Sequence, residues 1–172
     1  MTPTGTVRTL GNQAVEARAV PAVGGAAPDF ELLNQYGEPV RLSELQGRNV
    51  VLVFFPFAFS GICTGELCEI RDNLALFEDA DAVVLGISVD SKFAQRAYAE
   101  KEGYAFDLLA DFWPHGAAAE QYGVFDPGSG MAKRGTFIID ASGIVRYVVV
   151  NPRGQARDFA GYRSALAGLA GN

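Results

Sequence analysis

The sequence predicts one α/β domain with a mixed central β-sheet that is flanked by helices. Two apolar runs, residues 50–55 and 82–89, are continuous enough to be central strands that are covered on both faces. Helical spacing follows each run, which is typical of strand–helix–strand crossover units. Two later apolar runs, 136–140 and 144–150, are separated by Ala141-Ser142-Gly143 and predict a tight hairpin. A hairpin next to parallel crossover strands makes the sheet mixed.

The chain before the first central strand predicts an arm and a short strand pair. Residues 1–23 are small, polar and aperiodic, which favours a flexible N-terminal arm and places the domain at 24–172. Residues 30–33 and 40–42 are expected to be two short strands joined by a turn. Ser43 is then expected to cap a one-turn helix.

The remaining elements follow from helix start and stop signals. A helix is predicted over residues 62–77, directly after the first central strand. Ser91 is expected to cap a second helix, which Gly103 ends. The other predicted elements are a strand at 106–109, a helix from Pro114 to Tyr122 and a C-terminal helix at 159–169.

Composition bounds the class of protein. The 172 residues suit one domain, and apolar residues at 49% with charged residues at 20% are typical of a globular chain. A net charge of −6 without a run of Lys or Arg argues against nucleic acid as a partner. No apolar run reaches the roughly 18 residues of a membrane span, and residues 1–23 lack a secretory-signal pattern. Two cysteines five positions apart do not make a disulfide scaffold, so a cytoplasmic location is expected.

One cysteine stands where the first long helix begins. The segment from Pro56 to Ile62 leads from the central strand to Cys63. A thiol in the first turn of a helix is close to unpaired N–H groups and to the positive end of the helix dipole, which favour thiolate over thiol. At about 100° per residue, the apolar residues on its side of the helix are Leu67, Ile70, Leu74 and Phe77. Cys63 is therefore predicted to be a nucleophile in a protected pocket, the alternative being an inert core cysteine.

Three neighbours of Cys63 are candidate site residues, each with a structural alternative. The Ser60 hydroxyl could cap the helix, contact a group that approaches the sulfur, or do both. Pro56 could keep water from the pocket or merely terminate the strand. Glu66 suits the first turn of the helix, where a structural and a functional role are both open.

The spacing of Pro56, Ser60 and Cys63 resembles the peroxidatic signature of the peroxiredoxins, which are thioredoxin-fold thiol peroxidases. The resemblance extends from about Val23 to the C-terminus. Members of the family also need an arginine from a distant part of the chain, and Arg134 holds the matching position. Its guanidinium would favour the thiolate and donate to both peroxide oxygens. The segments most similar to the AhpE-type (alkyl hydroperoxide reductase) branch are 62–67, 111–116 and 122–125.

The resemblance implies that the Cys63 thiolate attacks one peroxide oxygen, which leaves a sulfenic acid and releases water or an alcohol. Ser60, Arg134 and backbone N–H groups would stabilise the charge moving along the O–O axis. The implied substrates are hydrogen peroxide, organic hydroperoxides and peroxynitrite. The implied reductant is a thioredoxin, a glutaredoxin-like protein or a low-molecular-weight thiol. A homodimer or higher homo-oligomer is expected, and no metal or organic cofactor, since His115 is the only histidine.

Cys68 departs from the AhpE-type pattern and occupies the position of the resolving cysteine in the bacterioferritin-comigratory (PrxQ) branch. Helix geometry places it about 140° around from Cys63, on the polar face with Glu69 and Asp72. The two Cα atoms would be roughly 8.6 Å apart, beyond the ~7 Å that a disulfide tolerates. A Cys63–Cys68 disulfide therefore requires local unfolding of the helix start, and an incidental surface thiol is the alternative.

Other functions stay open at this point. The absence of a CxxC motif argues against a thioredoxin-like thiol–disulfide exchange protein. A peroxide sensor or protein-binding module would use Cys63 oxidation as a switch. The aromatic residues that could form a contact surface, a collar for lipid hydroperoxides or simply part of the core are Phe57, Phe59, Phe112 and Trp113.

Overall fold

The computed structural model describes residues 18–152 and 154–169. The strands, in chain order, are β1 (Glu31–Asn34), β2 (Pro39–Arg41), β3 (Asn49–Phe54), β4 (Ala82–Ser88), β5 (Asp107–Ala110), β6 (Phe125–Asp126), β7 (Met131–Ala132), β8 (Arg134–Ile139) and β9 (Val145–Asn151). The helices are α1 (Gly61–Asp72), α2 (Leu74–Asp79), α3 (Lys92–Glu102), α4 (Ala117–Gln121) and α5 (Phe159–Leu169), with a 3₁₀ helix at Leu42–Leu45.

The described strands form a seven-stranded sheet in the order β2-β1-β5-β4-β3-β8-β9, with β6 and β7 as a separate two-stranded ribbon. β3 pairs in parallel with β4, and β4 pairs in parallel with β5. β8 lies antiparallel to both β3 and β9. The predicted mixed sheet and its 144–150 hairpin strand are therefore confirmed.

Strand β3 is buried on both faces, which explains why its sequence is continuously apolar. Val51 and Val53 point to one core cluster, which also contains side chains from α1, α3 and α5. Val50, Leu52 and Phe54 point to the other cluster, on the face covered by α4. Each of these side chains is at most 2% exposed, so each contributes about 1.5–3 kcal/mol of burial free energy. The strand is a rigid base for the loop that follows it.

The loop between β3 and α1 lies at the carboxyl end of the central strands. The next parallel strand ends beside it, because the Ala58 N–H donates to Asp90 Oδ2 at 2.8 Å just after β4. Ligand sites of open α/β sheets gather at this edge. The fold therefore brings the start of α1 to the edge where chemistry is expected.

Two helix predictions are wrong in detail. The helix expected over 62–77 divides into α1 and α2 at Asn73, whose side-chain amide donates to the Glu69 carbonyl at 2.8 Å. Asparagine commonly competes with helix hydrogen bonds in this way. Ser43 does not cap the 3₁₀ helix but lies inside it, and its N–H donates to Asp29 Oδ1 at 2.9 Å. By contrast, Ser91 caps α3 and Gly103 ends it in a left-handed conformation, as predicted.

The expected arm over residues 1–23 lies mostly outside the described residues. Its last part runs against the domain, because a Cβ at Gly123 would lie 2.6 Å from the Arg18 carbonyl oxygen. Gly123 has a φ of +67°, which suits glycine at this close approach. The boundary at residue 24 stays a prediction. Within the described part of the chain, no helix has the length and apolarity to cross a membrane.

Candidate active site

Cys63 is the third residue of α1 and is fully buried. It packs in the core cluster that contains Leu67 and Ile70 from the same side of the helix. The predicted apolar stripe of α1 is therefore present. The sulfur lies in a protected position at the first turn, where helix N–H groups have no acceptor within the helix.

Ser60 occupies the position that precedes α1, but its hydroxyl does not cap the helix. The hydroxyl donates to the Phe57 carbonyl at 3.1 Å. The Ser60 carbonyl accepts from the Thr64 N–H and from Thr64 Oγ1, both at 2.9 Å. Of the alternatives open for Ser60, the side-chain cap is not formed, because the serine closes the preceding turn. Its side chain accepts no hydrogen bond from the N–H groups of the first turn.

The loop that carries Ser60 contains backbone strain. Phe59 has a φ of 65°, in the left-handed region that bulky residues rarely adopt. Such a conformation costs about 1–2 kcal/mol. The Phe59 ring lies 4.9 Å from the Tyr98 ring, and Lys101 Nζ is 5.7 Å from its centroid. These contacts with α3 hold the loop in its strained form.

Glu66 and Arg134, which the sequence placed in the site, form a buried ion pair. Arg134 Nη1 donates to Glu66 Oε2 at 2.6 Å, and the two side chains are only 7% and 5% exposed. Arg134 is the first residue of β8. Residues three apart on a helix share a face, so Glu66 draws this guanidinium toward the face that carries Cys63.

Arg157 completes the same cluster and was missed from the sequence. Its Nη1 donates to Glu66 Oε2 at 2.6 Å, and its backbone N–H donates to Glu66 Oε1 at 2.8 Å. Its Nη2 donates to the Phe54 carbonyl at the end of β3. Two guanidiniums share one carboxylate here, so the cluster carries a net positive charge. No local pattern distinguishes Arg157 from a surface arginine in the sequence.

A mostly apolar groove of about 640 Å³ opens beside the start of α1. It brings together Pro56, Ser60 and Arg134, three of the predicted site residues. The apolar side chains along it are Phe57, Ile62, Met131, Ala132 and Val150. The groove thus has the size and lining of a small-molecule site, with hydroxyl and guanidinium groups beside the turn that carries Cys63.

The aromatic residues singled out in the sequence belong to the surface and not to the core. The exposed fractions of Phe57, Phe59, Phe112 and Trp113 range from 40% to 81%. His115 is exposed, and its Nε2 lies 2.7 Å from the Gly130 carbonyl oxygen. Over residues 18–152 and 154–169, no three His, Cys, Asp or Glu side chains gather as a metal site would require.

Cys68 does not lie on the polar face of α1, contrary to the expectation. It is half-buried and packs against the core cluster that contains Cys63. Its sulfur lies 3.7 Å from Glu102 Oε2 and 3.6 Å from the Tyr104 hydroxyl. The C-terminal end of α3 and the residue after Gly103 cover this side of the helix, which helix angles alone do not reveal. Both cysteines are free thiols.

A free cysteine at the start of a helix that follows a central strand, next to a groove lined by a serine and a buried arginine, defines a thiol-active protein of thioredoxin-like fold. Comparison with known families agrees: the model of the AhpC/TSA family matches residues 23–148, and the chain belongs to that family. It is 47% identical to alkyl hydroperoxide reductase E of Mycobacterium tuberculosis over 148 aligned residues. The alignment covers 86% of this chain and 97% of the relative. It is 39% identical over 131 residues to peroxiredoxin Bcp of Escherichia coli, covering 73% of this chain and 83% of the relative.

Solved structures give the same result. Peroxidoxin BcpB from Mycobacterium tuberculosis aligns with a TM-score of 0.77 and 36% identity over 88% of this chain and 97% of its own. AhpC from Enterococcus faecalis aligns with a TM-score of 0.77 and 28% identity over 87% of this chain and 92% of its own. The peroxiredoxin resemblance and the thioredoxin-like fold expected from the sequence are confirmed.

Proposed function

We propose that this protein is a thiol-dependent peroxidase in which Cys63 reduces hydrogen peroxide or an organic hydroperoxide. The supporting observation is the buried Cys63 at the first turn of α1, beside a groove lined by Ser60 and Arg134. Family membership and relatives named for hydroperoxide reduction confirm the expected peroxidase and disfavour a sensor. A peroxide is its substrate and a thiol compound is its reductant.

The proposed first step is a two-electron oxidation of Cys63. The thiolate attacks one peroxide oxygen, the O–O bond breaks, and the other oxygen takes up a proton and leaves as water or alcohol. Cys63 becomes a sulfenic acid. Arg134 has several N–H donors, and among residues 18–152 and 154–169 it uses Nη1 for Glu66, which leaves other donors for the oxygen that gains charge. The first-turn amides complete this electrostatic stabilisation, and the Ser60 hydroxyl joins them when it turns away from the Phe57 carbonyl.

Glu66, Arg157 and Pro56 are proposed to position the groups that touch peroxide. Glu66 fixes the Arg134 guanidinium, while Arg157 ties Glu66 to the end of β3 through the Phe54 carbonyl. This chain of contacts links the charge of the site to the buried central strand β3. Pro56 lines the groove and limits the conformations of the loop that enters α1.

Cys68 is proposed to resolve the sulfenic acid as an intramolecular disulfide with Cys63. Its half-buried position and short path to Cys63 support this role. An intact helix keeps the two Cα atoms roughly 8.6 Å apart, so the start of α1 must open first. A thioredoxin, a glutaredoxin-like protein or a low-molecular-weight thiol would then reduce the disulfide.

Three broader properties are part of the proposal. The exposed aromatic residues Phe57, Phe112 and Trp113 are candidates for a homodimer contact. A cytoplasmic location fits two cysteines that are both free thiols. The catalytic domain is taken to span 24–172, with 1–23 as an N-terminal arm.

Peroxide turnover tests the function. Reduced protein is mixed with excess hydrogen peroxide or an alkyl hydroperoxide, with thioredoxin and its reductase or a small thiol as separate reductants. A peroxidase consumes many equivalents of peroxide per protein, and Cys63→Ser abolishes the turnover. Consumption that stops after one equivalent with every reductant would indicate a sensor. Insulin reduction without peroxide turnover would indicate a thiol–disulfide exchange protein.

A further inference from the structure

Cys68 belongs to a second cluster of reactive groups that the peroxide step does not use. Its thiol donates toward Glu102 Oε2 at 3.7 Å, and the Tyr104 hydroxyl lies 3.6 Å from the same sulfur. We propose that Glu102 is the base that takes the proton of Cys68 when this thiol attacks the Cys63 sulfenic acid. The inference rests on the proposed peroxidase function and assigns a catalytic residue to its second step.

The groups that face Cys68 single out Glu102 as the base. On its own helix, Arg71 is a cation, and its Nη1 donates to the Glu102 carbonyl oxygen. From the elements packed against it come Glu102 and the hydroxyls of Tyr98 and Tyr104. Burial raises the pKa of Tyr104 far above its ordinary value, so this hydroxyl stays protonated. Glu102 is the carboxylate among these groups and therefore the proton acceptor.

The first turn of α1 contains two glycines that lower its helical stability. Gly61 and Gly65 lie within the helix, yet a methyl group at either position would meet no atom within 4 Å. Packing therefore does not require glycine at these positions. Glycine weakens a helix by about 1 kcal/mol relative to alanine, so the two glycines make the first turn easier to open. The strained Phe59 stands just before this turn. Opening of residues 61–65 would expose Cys63.

The part of α1 that carries Cys68 is held more firmly. Arg71 binds the Glu102 carbonyl through Nη1 and Asp72 through Nε. Glu66 is anchored by Arg157 and Arg134. Opening that begins at Gly61 therefore frees Cys63 to approach Cys68, while Cys68 stays beside Glu102.

The atoms of the step balance without a further reactant. The Cys68 proton passes to the Glu102 carboxylate, and the sulfur attacks the Cys63 sulfur. The S–O bond breaks, and the departing hydroxide recovers the proton from Glu102 as water. Cys68 is oxidised, the Cys63 sulfenic acid is reduced, and the product is one disulfide with Glu102 again ionised.

The experiment follows disulfide formation after a single oxidation. Full-length reduced protein is mixed with one equivalent of hydrogen peroxide, quenched in acid at increasing times, alkylated and analysed by mass spectrometry. Glu102→Gln is compared with Glu100→Gln, an exposed residue of α3 that pairs with Arg96. We expect Glu102→Gln to form the Cys63 sulfenic acid at the wild-type rate but the disulfide at least about tenfold more slowly near neutral pH. Glu100→Gln should match wild type in both steps.

The pH profile separates proton transfer from a structural effect. Without the base, the proton of Cys68 must pass to hydroxide in the solvent, so the disulfide rate of Glu102→Gln should rise with pH and approach that of the wild type. Glu102→Asp should give an intermediate rate, and it serves as the test if Glu102→Gln does not fold. Wild-type disulfide rates in both Glu102 variants would overturn the inference. A wild-type protein that forms sulfenic acid but no disulfide would overturn it too and leave the peroxidase function intact, whereas absence of sulfenic acid would contradict both.

Discussion

Replacement of Glu66 by glutamine tests the buried charge cluster most sharply. The side chain keeps its shape but loses the negative charge that two arginines share. Arg134 and Arg157 each donate to Glu66 Oε2 at 2.6 Å, and all three side chains are at most 7% exposed. In the variant, the two guanidiniums are left as buried like charges, and the glutamine can offer them only one oxygen.

The magnitude follows from this geometry. Two unit charges at about 4 Å attract by about 4 kcal/mol near a protein surface, and removing one partner of a buried pair costs about 3–5 kcal/mol. That is a large fraction of the roughly 5–15 kcal/mol by which a domain is stable. The melting temperature of a chain this long should fall by about 10 °C. Because Arg134 also loses its anchor, we expect the peroxide reaction to slow at least about tenfold.

Urea unfolding measures the change in unfolding free energy, and stopped-flow mixing with hydrogen peroxide measures the rate. Glu69→Gln is the matched control, since Glu69 lies on the same helix with an exposed side chain. It should change the unfolding free energy by less than about 0.5 kcal/mol. A loss below about 1 kcal/mol in Glu66→Gln, with an unchanged peroxide rate, would refute the role of the cluster.

Three further predictions concern the opening of α1 and the anchoring of the site. Gly65→Ala should strengthen the first turn of α1 by about 1 kcal/mol and so slow Cys63–Cys68 disulfide formation about fivefold. Gly168→Ala in α5 is the control, because its Cβ would also meet open space, and it should leave the rate unchanged. Equal effects of the two substitutions on quenched time courses would contradict this prediction. Tyr98→Phe removes the hydrogen bond from the Tyr98 hydroxyl to Thr64 Oγ1 at 2.9 Å. A hydrogen bond of this kind contributes about 1 kcal/mol, so its loss should speed disulfide formation about fivefold. Slower disulfide formation would argue against opening of the first turn. Arg157→Gln should lower the peroxide rate of stopped-flow traces while leaving Cys63 as the oxidised residue by mass spectrometry, and an unchanged rate would make Arg157 purely structural.

Local signals predicted much of this molecule. The uninterrupted apolar runs gave β3 and β4 because both strands are covered on two faces. The helix start gave Cys63 its place, and Ser91 with Gly103 bounded α3 because caps depend on neighbouring residues. Each of these inferences used interactions within a few positions of the chain.

Long-range contacts were beyond such signals. Arg157 binds Glu66 across 91 positions, and no periodicity or cap marks it. The surroundings of Cys68 depend on where the end of α3 packs, so helix angles alone placed the thiol wrongly on the polar face. The role of the Ser60 hydroxyl stayed open in the sequence because its acceptor, the Phe57 carbonyl, depends on the conformation of the preceding turn.

The sulfur of the buried Cys63 is proposed to be the atom that attacks peroxide. Stopped-flow mixing of the reduced protein with hydrogen peroxide measures this directly in wild type, Cys63→Ser and Cys68→Ser. We expect a fast oxidation phase in wild type and in Cys68→Ser, with a persistent sulfenic acid in the latter, and no fast phase in Cys63→Ser. A fast phase that survives in Cys63→Ser would contradict the account.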